Sequence, residues 1–251
     1  MYSFNLKSIY IGPAALIAIW FAVSHFGVID QFFLPGPMTV FSELFRSFQN
    51  GSILPDIAST FQRISISFLL ASLIGVPVGL ILGRFERIYK SIEFLIDVCR
   101  STPSLAVFPL FLVIFGITDT SKIAASVFSA TFLIIFNVAY GVMHQKKSRL
   151  LAIQIMGATS IQAFTHVVFW ESLPQAFVGL RNAMGWIIGV IIATEMFIGT
   201  QTGLGHRILD NQITYNIPAV YTSILTTAII GYLANLIFVK IEQKYLHWNG
   251  K

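Results

Sequence analysis

Residues 57–83 read IASTFQRISISFLLASLIGVPVGLILG, an apolar stretch of 27 residues with a single charge, Arg63. As an α-helix this stretch would extend about 40 Å, which is long enough to cross a bilayer with tilt. Three glycines recur at every fourth residue from Gly75 to Gly83, a spacing that favours close packing of a second helix over contact with a ligand. Pro77 lies inside this ridge and is expected to bend the helix.

The composition of the whole chain agrees with a membrane protein. Of its 251 residues 55% are hydrophobic and 11% are charged, and the mean hydropathy is +0.76. A soluble domain carries about 25% charged residues, so lipid-facing surface is expected to account for the difference. The net charge of +5 would suit a nucleic-acid-binding protein, but the charges cluster at the ends of apolar stretches, and we expect no nucleic-acid partner. Cys99 is the single cysteine, and no pattern of metal ligands is visible in the sequence.

The apolar stretches predict six membrane spans. Their approximate bounds are 9–26, 57–83, 91–117, 122–143, 175–199 and 220–239. The first is interpreted as a retained span because no small-x-small cleavage site follows it. The third is predicted to be broken, because Pro103 lacks a backbone N–H and disfavours a helical conformation at Thr102.

Several finer features follow from the same patterns. Residues 38–48 are amphipathic and are expected to lie at the outer interface, and residues 200–218 are polar and glycine-rich, which indicates an outer loop. In the fifth span, residues 185, 189 and 193 are small and predict a second close-packing ridge. Charged residues within the spans are expected to pair, Asp97 with Arg100 three positions later and Arg63 with Glu195.

The distribution of basic residues predicts the orientation. Ten of the sixteen lysines and arginines lie on one side of the predicted topology, which is therefore the cytoplasmic side. They are Lys7, Arg84, Arg87, Lys90, Lys146, Lys147, Arg149, Lys240, Lys244 and Lys251. The outer loops contain Arg46, Lys122 and Arg207. With six spans, both termini are expected in the cytoplasm.

Residues 150–174, LLAIQIMGATSIQAFTHVVFWESLP, lie between the fourth and fifth predicted spans. The first half predicts a short helix with Leu151, Ile155 and Ala158 on one stripe, and Gly157 breaks it. The segment follows a basic cluster, so it is expected on the cytoplasmic side. Two interpretations remain open from the residues alone: an ordinary interhelical loop, or a contact for a cytoplasmic partner.

This segment resembles the cytoplasmic loop of bacterial ABC importer permeases, whose pattern is Glu-Ala-Ala, three residues, Gly, nine residues and Ile-x-Leu-Pro. Aligned on Gly157, it departs at Leu151, Ile153 and Trp170, where Glu, Ala and Pro are usual. Over about residues 30–248 the chain is similar to permeases of nitrate, sulfonate, taurine and bicarbonate importers. The matching runs are Leu34-Pro35-Gly36-Pro37, Arg63 with Gly75 and Gly79, Arg100-Ser101-Thr102-Pro103-Ser104-Leu105-Ala106, Pro109-Leu110, Ser121-Lys122, Gly179-Leu180-Arg181, Ala193-Thr194-Glu195-Met196 and Gly203-Leu204-Gly205.

The resemblance implies an all-α integral membrane protein of the MetI-like permease fold. It implies six transmembrane helices and a cytoplasmic coupling helix between spans four and five, in one domain over residues 1–251 with a permease core at about 57–245. The expected partners are two cytoplasmic ABC ATPase subunits, a periplasmic or lipid-anchored substrate-binding protein, a second copy of the chain and membrane lipid, in a bacterial inner (plasma) membrane. No cofactor is expected in this chain, because ATP and Mg would be bound by the partner ATPase, and the sequence has no phosphate-binding G-x-x-x-x-G-K-[ST] loop.

The resemblance also suggests site residues. Those expected to couple to the ATPase are Ala152, Met156, Gly157 and Ala158. Those expected along the translocation path are Arg100, Ser101, Pro103, Ser104, Arg181, Thr194 and Glu195. No catalytic residue is expected, because a membrane enzyme would need converging His, Asp or Glu side chains. Arginines within the spans favour a small anion as substrate; the alternatives are a neutral or cationic vitamin precursor carried by the same class of importer, or a secondary transporter.

Overall fold

The computed structural model describes residues 6–197 and 201–246, and every regular element in these two ranges is helical. A π-helical turn, Phe164–Val168, joins α8 to α9. The α-helices are α1 (Leu6–His25), α2 (Pro37–Gln49), α3 (Leu54–Arg84), α4 (Glu86–Ser101), α5 (Ser104–Phe115), α6 (Asp119–Met143), α7 (Lys147–Ile155), α8 (Ser160–Ala163), α9 (Phe169–Glu195), α10 (Leu204–Ile213) and α11 (Ile217–Tyr245).

Four helical stretches in the described residues are long and apolar enough to cross a membrane. They are α3, α6, the continuous helix Ser160–Glu195 and α11. The pair α4 and α5 would form a fifth if it counts as one span, and it is bent by 90° at Thr102 and Pro103, where the sequence predicts a break. At the position of the first predicted span lies α1, whose apolar part Ile11–His25 is shorter than these four. A count of six spans therefore stays a prediction.

The glycine ridge of α3 packs against α6, as its spacing predicts. A Cβ atom placed on Gly75, Gly79 or Gly83 would lie 2.8, 2.7 or 2.6 Å from a side-chain carbon of Ile134, Val138 or Val142, respectively. Along these three contacts the residue number increases by four in α3 and by four in α6, so the two helices run in the same direction. Such short distances leave no room for a side chain on the ridge. The ridge continues across Pro77, through which α3 passes as one helix.

The helix α9 packs against the other side of α6 in the opposite direction. A Cβ atom on Gly179 would lie 2.5 Å from that of Asn137, and one on Gly141 would lie 2.8 Å from that of Gln175. The Asn137 side chain, polar within an apolar span, donates to the Leu133 carbonyl at 2.8 Å and accepts from the Gln175 amide at 3.2 Å. These contacts place α6 at the centre of the bundle, packed against both α3 and α9.

The second ridge predicted in the fifth span is wrong for contacts within the chain. No described atom lies within 4 Å of a Cβ placed on Gly185 or Gly189. The same helix uses Gly179 instead for close packing. A small residue permits a close approach, but the position of the neighbouring helix decides which small residues are covered.

Two predicted boundaries around α9 and α10 also need correction. The helix of the fifth span does not begin at residue 175: it extends from Ser160 through the π-turn and past Pro174. The predicted end of that span, at residue 199, lies outside the described residues. Within the predicted outer loop 200–218, whose first residue is also outside the described ranges, the chain forms α10, which buries Leu204 and Ile208.

The amphipathic stretch 38–48 forms α2, as predicted. Pro37 is at the first helical position, where its missing N–H costs no helical hydrogen bond. The helix buries Val40, whose carbonyl accepts a hydrogen bond from the Thr222 hydroxyl of α11 at 3.3 Å. The contact fixes α2 against α11.

Candidate functional site

A cluster of four charged side chains lies at one end of the bundle, where α3, α6 and α9 meet. It consists of Arg63, Asp119, Lys122 and Glu195, and we call it the Arg63 cluster. The Arg63 guanidinium contacts Glu195 through Nη1 at 2.7 Å and Asp119 through Nε at 2.9 Å. The predicted pairing of Arg63 with Glu195 is thereby confirmed. Two positive and two negative charges balance within the cluster.

Glu195 is fully buried and has several hydrogen-bond donors. The Thr60 hydroxyl lies 2.9 and 3.0 Å from its two oxygens, and the Gly205 N–H donates to Oε2 at 3.0 Å. The same Thr60 oxygen accepts from the Leu204 N–H at 2.9 Å. A buried carboxylate is stable only when paired and hydrogen-bonded in this way. Glu195 therefore holds the start of α10 against α3.

Two glycines are required by this arrangement: Gly203, which precedes α10, and Gly205, its second residue. Gly203 has φ +139°, and its N–H donates to Asp56 at 2.9 Å. A Cβ atom on Gly205 would collide with the Ile192 carbonyl oxygen. The sequence reading of Gly203 and Gly205 as loop glycines missed that they allow a helix to approach α9.

Lys122 is the member of the cluster whose burial the sequence did not indicate. Its side chain is 3% exposed and its Nζ lies 3.1 Å from Asp119 Oδ1, so it is not a solvated loop lysine. The two residues are three positions apart at the start of α6 and therefore share a face. That spacing was a signal for the pair. The Asp119 carboxylate, which is 56% exposed, balances the charges of both Lys122 and Arg63.

At the break between α4 and α5, Asp97 and Arg100 form the predicted pair at 2.9 Å. The Arg100 guanidinium also lies 3.9 Å from the centroid of the Phe136 ring, a cation–π contact with α6. Ser101 is exposed and Ser104 is buried. The Ser104 hydroxyl accepts a hydrogen bond from the indole N–H of Trp186 at 3.3 Å, which joins the break to α9.

Two clefts flank Trp186. One of about 290 Å³ lies between the start of α5 and the exposed glycines of α9. Its lining residues are Pro103, Ser104, Leu105, Gly185, Trp186, Gly189 and Val190. The other, of about 340 Å³, is lined in part by Arg181, Asn182 and Asn235. Arg181 pairs with Glu242 of α11 at 3.4 Å, a partner that the sequence did not indicate.

The residues predicted along a path are therefore not all brought together. Pro103, Ser104 and Arg181 line the clefts beside Trp186, and Arg100 and Ser101 lie at the adjoining break. Thr194 is fully buried, with its hydroxyl bonded to the Ile191 carbonyl at 3.0 Å, and Glu195 belongs to the Arg63 cluster. Only the first group lines a described cleft.

The segment between α6 and α9 forms a short exposed helix at the other end of the bundle. Helix α7 ends at Ile155, so that Met156, Gly157 and Ala158 lie in the turn after it rather than within a helix. Gly157 has φ +84°, a conformation that favours glycine and that turns the chain sharply. Thr159 then caps α8 through a capping box with Gln162.

This segment exposes large apolar side chains. Leu151, Ile155, Met156 and Ile161 are 57%, 86%, 85% and 73% exposed, respectively. Ala152 is exposed beside them. Exposed apolar surface of this kind is typical of interaction sites. We call these residues the α7 apolar surface.

The fold is thus that of a polytopic helical membrane protein with a broken span and a short exposed helix between two long ones. A family model described as "Binding-protein-dependent transport system inner membrane component" matches residues 75–247, and the chain belongs to this family. It is a permease of the ABC importer class, an inner-membrane component of binding-protein-dependent transport.

Curated relatives match along nearly the whole chain. A probable ABC transporter permease protein of Brucella abortus (strain 2308) is 29% identical over 248 residues, 98% of this chain and 96% of that protein. The taurine transport system permease protein TauC of Escherichia coli (strain K12) is 27% identical over 243 residues, 95% of this chain and 88% of that protein. Among solved structures, an inward-facing MetNI methionine ABC transporter has a TM-score of 0.67 at 21% identity, covering 76% of this chain and 95% of that chain. This last likeness concerns the fold.

Proposed function

We propose that this chain forms, with a second copy of itself, the pore of an ATP-driven importer. Two cytoplasmic ATPase subunits bind at the end that carries α7, and a substrate-binding protein delivers solute at the end that carries the Arg63 cluster. In this arrangement six spans cross the membrane and both termini are cytoplasmic. The observation that carries the proposal is the α7 apolar surface. Apolar side chains as exposed as Ile155 and Met156 are expected to be covered by a partner protein where they face the cytoplasm.

The mechanism is a shift between two arrangements of the same helices. ATP-driven closure of the ATPase subunits favours one arrangement and release of the products favours the other, because the two arrangements present α7 differently to the ATPase. Ala152, Met156, Gly157 and Ala158 form the contact and the turn behind it. The chain itself supplies no nucleotide site in this scheme.

The path is proposed to run past the clefts beside Trp186. Irregular backbone at membrane depth is tolerated where it is buried in protein or faces a wet cavity, and the break at Thr102 and Pro103 borders one of these clefts. Pro103 and Ser104, which line this cleft, would contact the solute directly, and Ser101 would lie beside it at the break. Thr194 and Glu195 would not contact the solute and would instead fix the outer end of α9.

The proposed solute is a small anion. Relatives are described as permeases for taurine, aliphatic sulfonates and nitrate. The arginines within the spans do not add to this argument, since Arg63, Arg100 and Arg181 each contact an acidic partner. The importer class itself does not depend on the solute, and a neutral or cationic vitamin precursor is the alternative.

Uptake into vesicles tests the solute. The permease is reconstituted with its ATPase and binding protein, and uptake of an alkanesulfonate and of nitrate is compared with that of an uncharged pyrimidine. ATP-dependent uptake of an anion alone supports the proposal, and uptake of the pyrimidine alone refutes the anion while leaving an importer. Purification of the tagged permease separates the importer from a secondary transporter, which would be obtained without an ATPase.

A further inference from the structure

The Glu171 carboxylate joins α7 to α9. Its Oε1 accepts from the Arg149 guanidinium at 2.8 Å, and its Oε2 accepts from the backbone N–H of Lys146 at 2.9 Å. Glu171 lies in the first turn of α9, whereas Lys146 and Arg149 are the N-cap and a first-turn residue of α7. The Glu171 side chain is 11% exposed and that of Arg149 is 57% exposed. One carboxylate therefore bonds both a side chain and the backbone of α7.

Helix α7 lacks the features that usually stabilise the start of a helix. Its first turn has no acidic residue, and its N-cap side chain makes no capping hydrogen bond. A negative charge near the positive end of a helix dipole is favourable, and charge-assisted hydrogen bonds are stronger than neutral ones. Glu171 supplies this charge from another helix, so the same interaction that stabilises α7 also fixes its position.

A second observation concerns the chain between the two helices. Residues 156–159 include the Gly157 turn, and residues 164–168 form the π-turn that precedes α9. Both interrupt regular helix, and π-turns are frequent at functional sites. The covalent path from α7 to α9 thus contains two irregular segments. The Glu171 bonds span them and connect the helices directly.

We infer that Glu171 is the positioning residue that makes α7 and α9 move together. The inference rests on the proposed function in that movement of α7 is taken to begin at the ATPase. Force applied to the α7 apolar surface then reaches α9, and with it the clefts beside Trp186, through Arg149 and the Lys146 backbone. The family's loop pattern has Glu at the position of Leu151 in this chain, so Glu171 is not the glutamate of that pattern.

The position of α7 is measured directly with spin labels. Labels are attached to cysteines at Ser148 of α7 and Asn182 of α9, both exposed, in a Cys99→Ala background, and distances are recorded without nucleotide and with ATP and vanadate. One narrow distribution is expected in both states for the parent protein. Glu171→Ala should about double its width, since a segment that loses its anchor samples further states. Glu171→Gln keeps one acceptor and should broaden it less.

Transmission to the pore is measured by thiol chemistry. A cysteine at Ser101 should react with a water-soluble reagent at a rate that ATP changes, and Glu171→Ala should reduce this change by at least about fivefold, the lower end of usual coupling factors. The amount of copurified ATPase should stay the same, because the α7 apolar surface is intact. Arg149→Met, which leaves the Lys146 bond, should have a smaller effect.

Glu86→Ala is the matched control. It also removes a glutamate that pairs with a cation, Lys90 at 2.9 Å, but both side chains are largely exposed and belong to one helix. It should change neither the label distances nor the thiol rates. A Glu171→Ala protein with the parent's distance distribution in both states would overturn the inference. Failure of the parent to copurify an ATPase would instead overturn the proposed function, and the label distances would still decide the role of Glu171.

Discussion

Replacement of Arg63 with methionine should destabilise the protein by about 3–5 kcal/mol, because it leaves a buried carboxylate without its cation. Glu195 is fully buried and would retain only neutral donors, the Thr60 hydroxyl and the Gly205 N–H. Asp119 would keep Lys122 at 3.1 Å, so its loss is smaller. The cost is therefore assigned to Glu195, and removal of its charge should recover part of it.

The expected size and its test follow from this assignment. For a chain of this length about 1 kcal/mol shifts the unfolding midpoint by about 2–4 °C, so Arg63→Met should lower it by about 6–20 °C. The double variant Arg63→Met with Glu195→Gln should unfold at a higher temperature than Arg63→Met alone, since neighbouring charges are coupled.

The midpoint is measured by tryptophan fluorescence in detergent at one fixed heating rate, because unfolding of such proteins is commonly irreversible. Arg46→Met, the same change at an exposed arginine of α2, is the control and should leave the midpoint unchanged. A shift for Arg63→Met of less than about 2 °C would refute a buried ion pair. A double variant less stable than Arg63→Met would refute the assignment to Glu195.

Three further changes test other parts of the structure. Gly79→Val should destabilise the protein by about 1–3 kcal/mol through overpacking against Val138. The control Gly12→Val should not, because no described atom lies within 4 Å of a Cβ at that position. Equal unfolding midpoints for the two variants would contradict the packing of α3 on α6. In a Cys99→Ala background, a cysteine at exposed Ser101 should react with a water-soluble thiol reagent faster than one at buried Thr194. Equal rates would show that the end of α9 at Thr194 is open to water. Gly157→Trp should abolish uptake and permease-dependent ATP hydrolysis in a protein that remains folded in the membrane, because φ +84° is unfavourable for tryptophan. Normal stimulation of ATP hydrolysis by this variant would rule out a coupling role for the turn.

Features with a short sequence spacing were predictable. The ridge from Gly75 to Gly83 indicated the packing of α3, and the three-residue spacing of Asp97 and Arg100 indicated their pair. Pro103 indicated the break. In each case the physical cause lies within one helix or one turn, so the order of residues contains it.

Features that depend on distant packing were not predictable. Lys122 is charged, yet its side chain is buried in the fold, where its partner Asp119 also bonds Arg63, a residue 56 positions before Asp119 in the chain. Gly185 and Gly189 have the same spacing as the α3 ridge and remain uncovered because no described helix lies over them. Residues 204–213 have polar and glycine-rich surroundings, and the helix there is stabilised by distant partners: Glu195 and Thr60 bond its first residues, and packing buries Leu204 and Ile208.

The close contact of α3 with α6 restricts how this protein can change shape. Three successive turns of α3 approach α6 with no space for even a methyl group, so the two helices cannot slide along each other without a collision. The two helices are therefore expected to move as one rigid body. Any rocking of the subunit is then expected at the break at Thr102 and Pro103, where α4 and α5 meet at 90°, while α3 and α6 tilt together without bending.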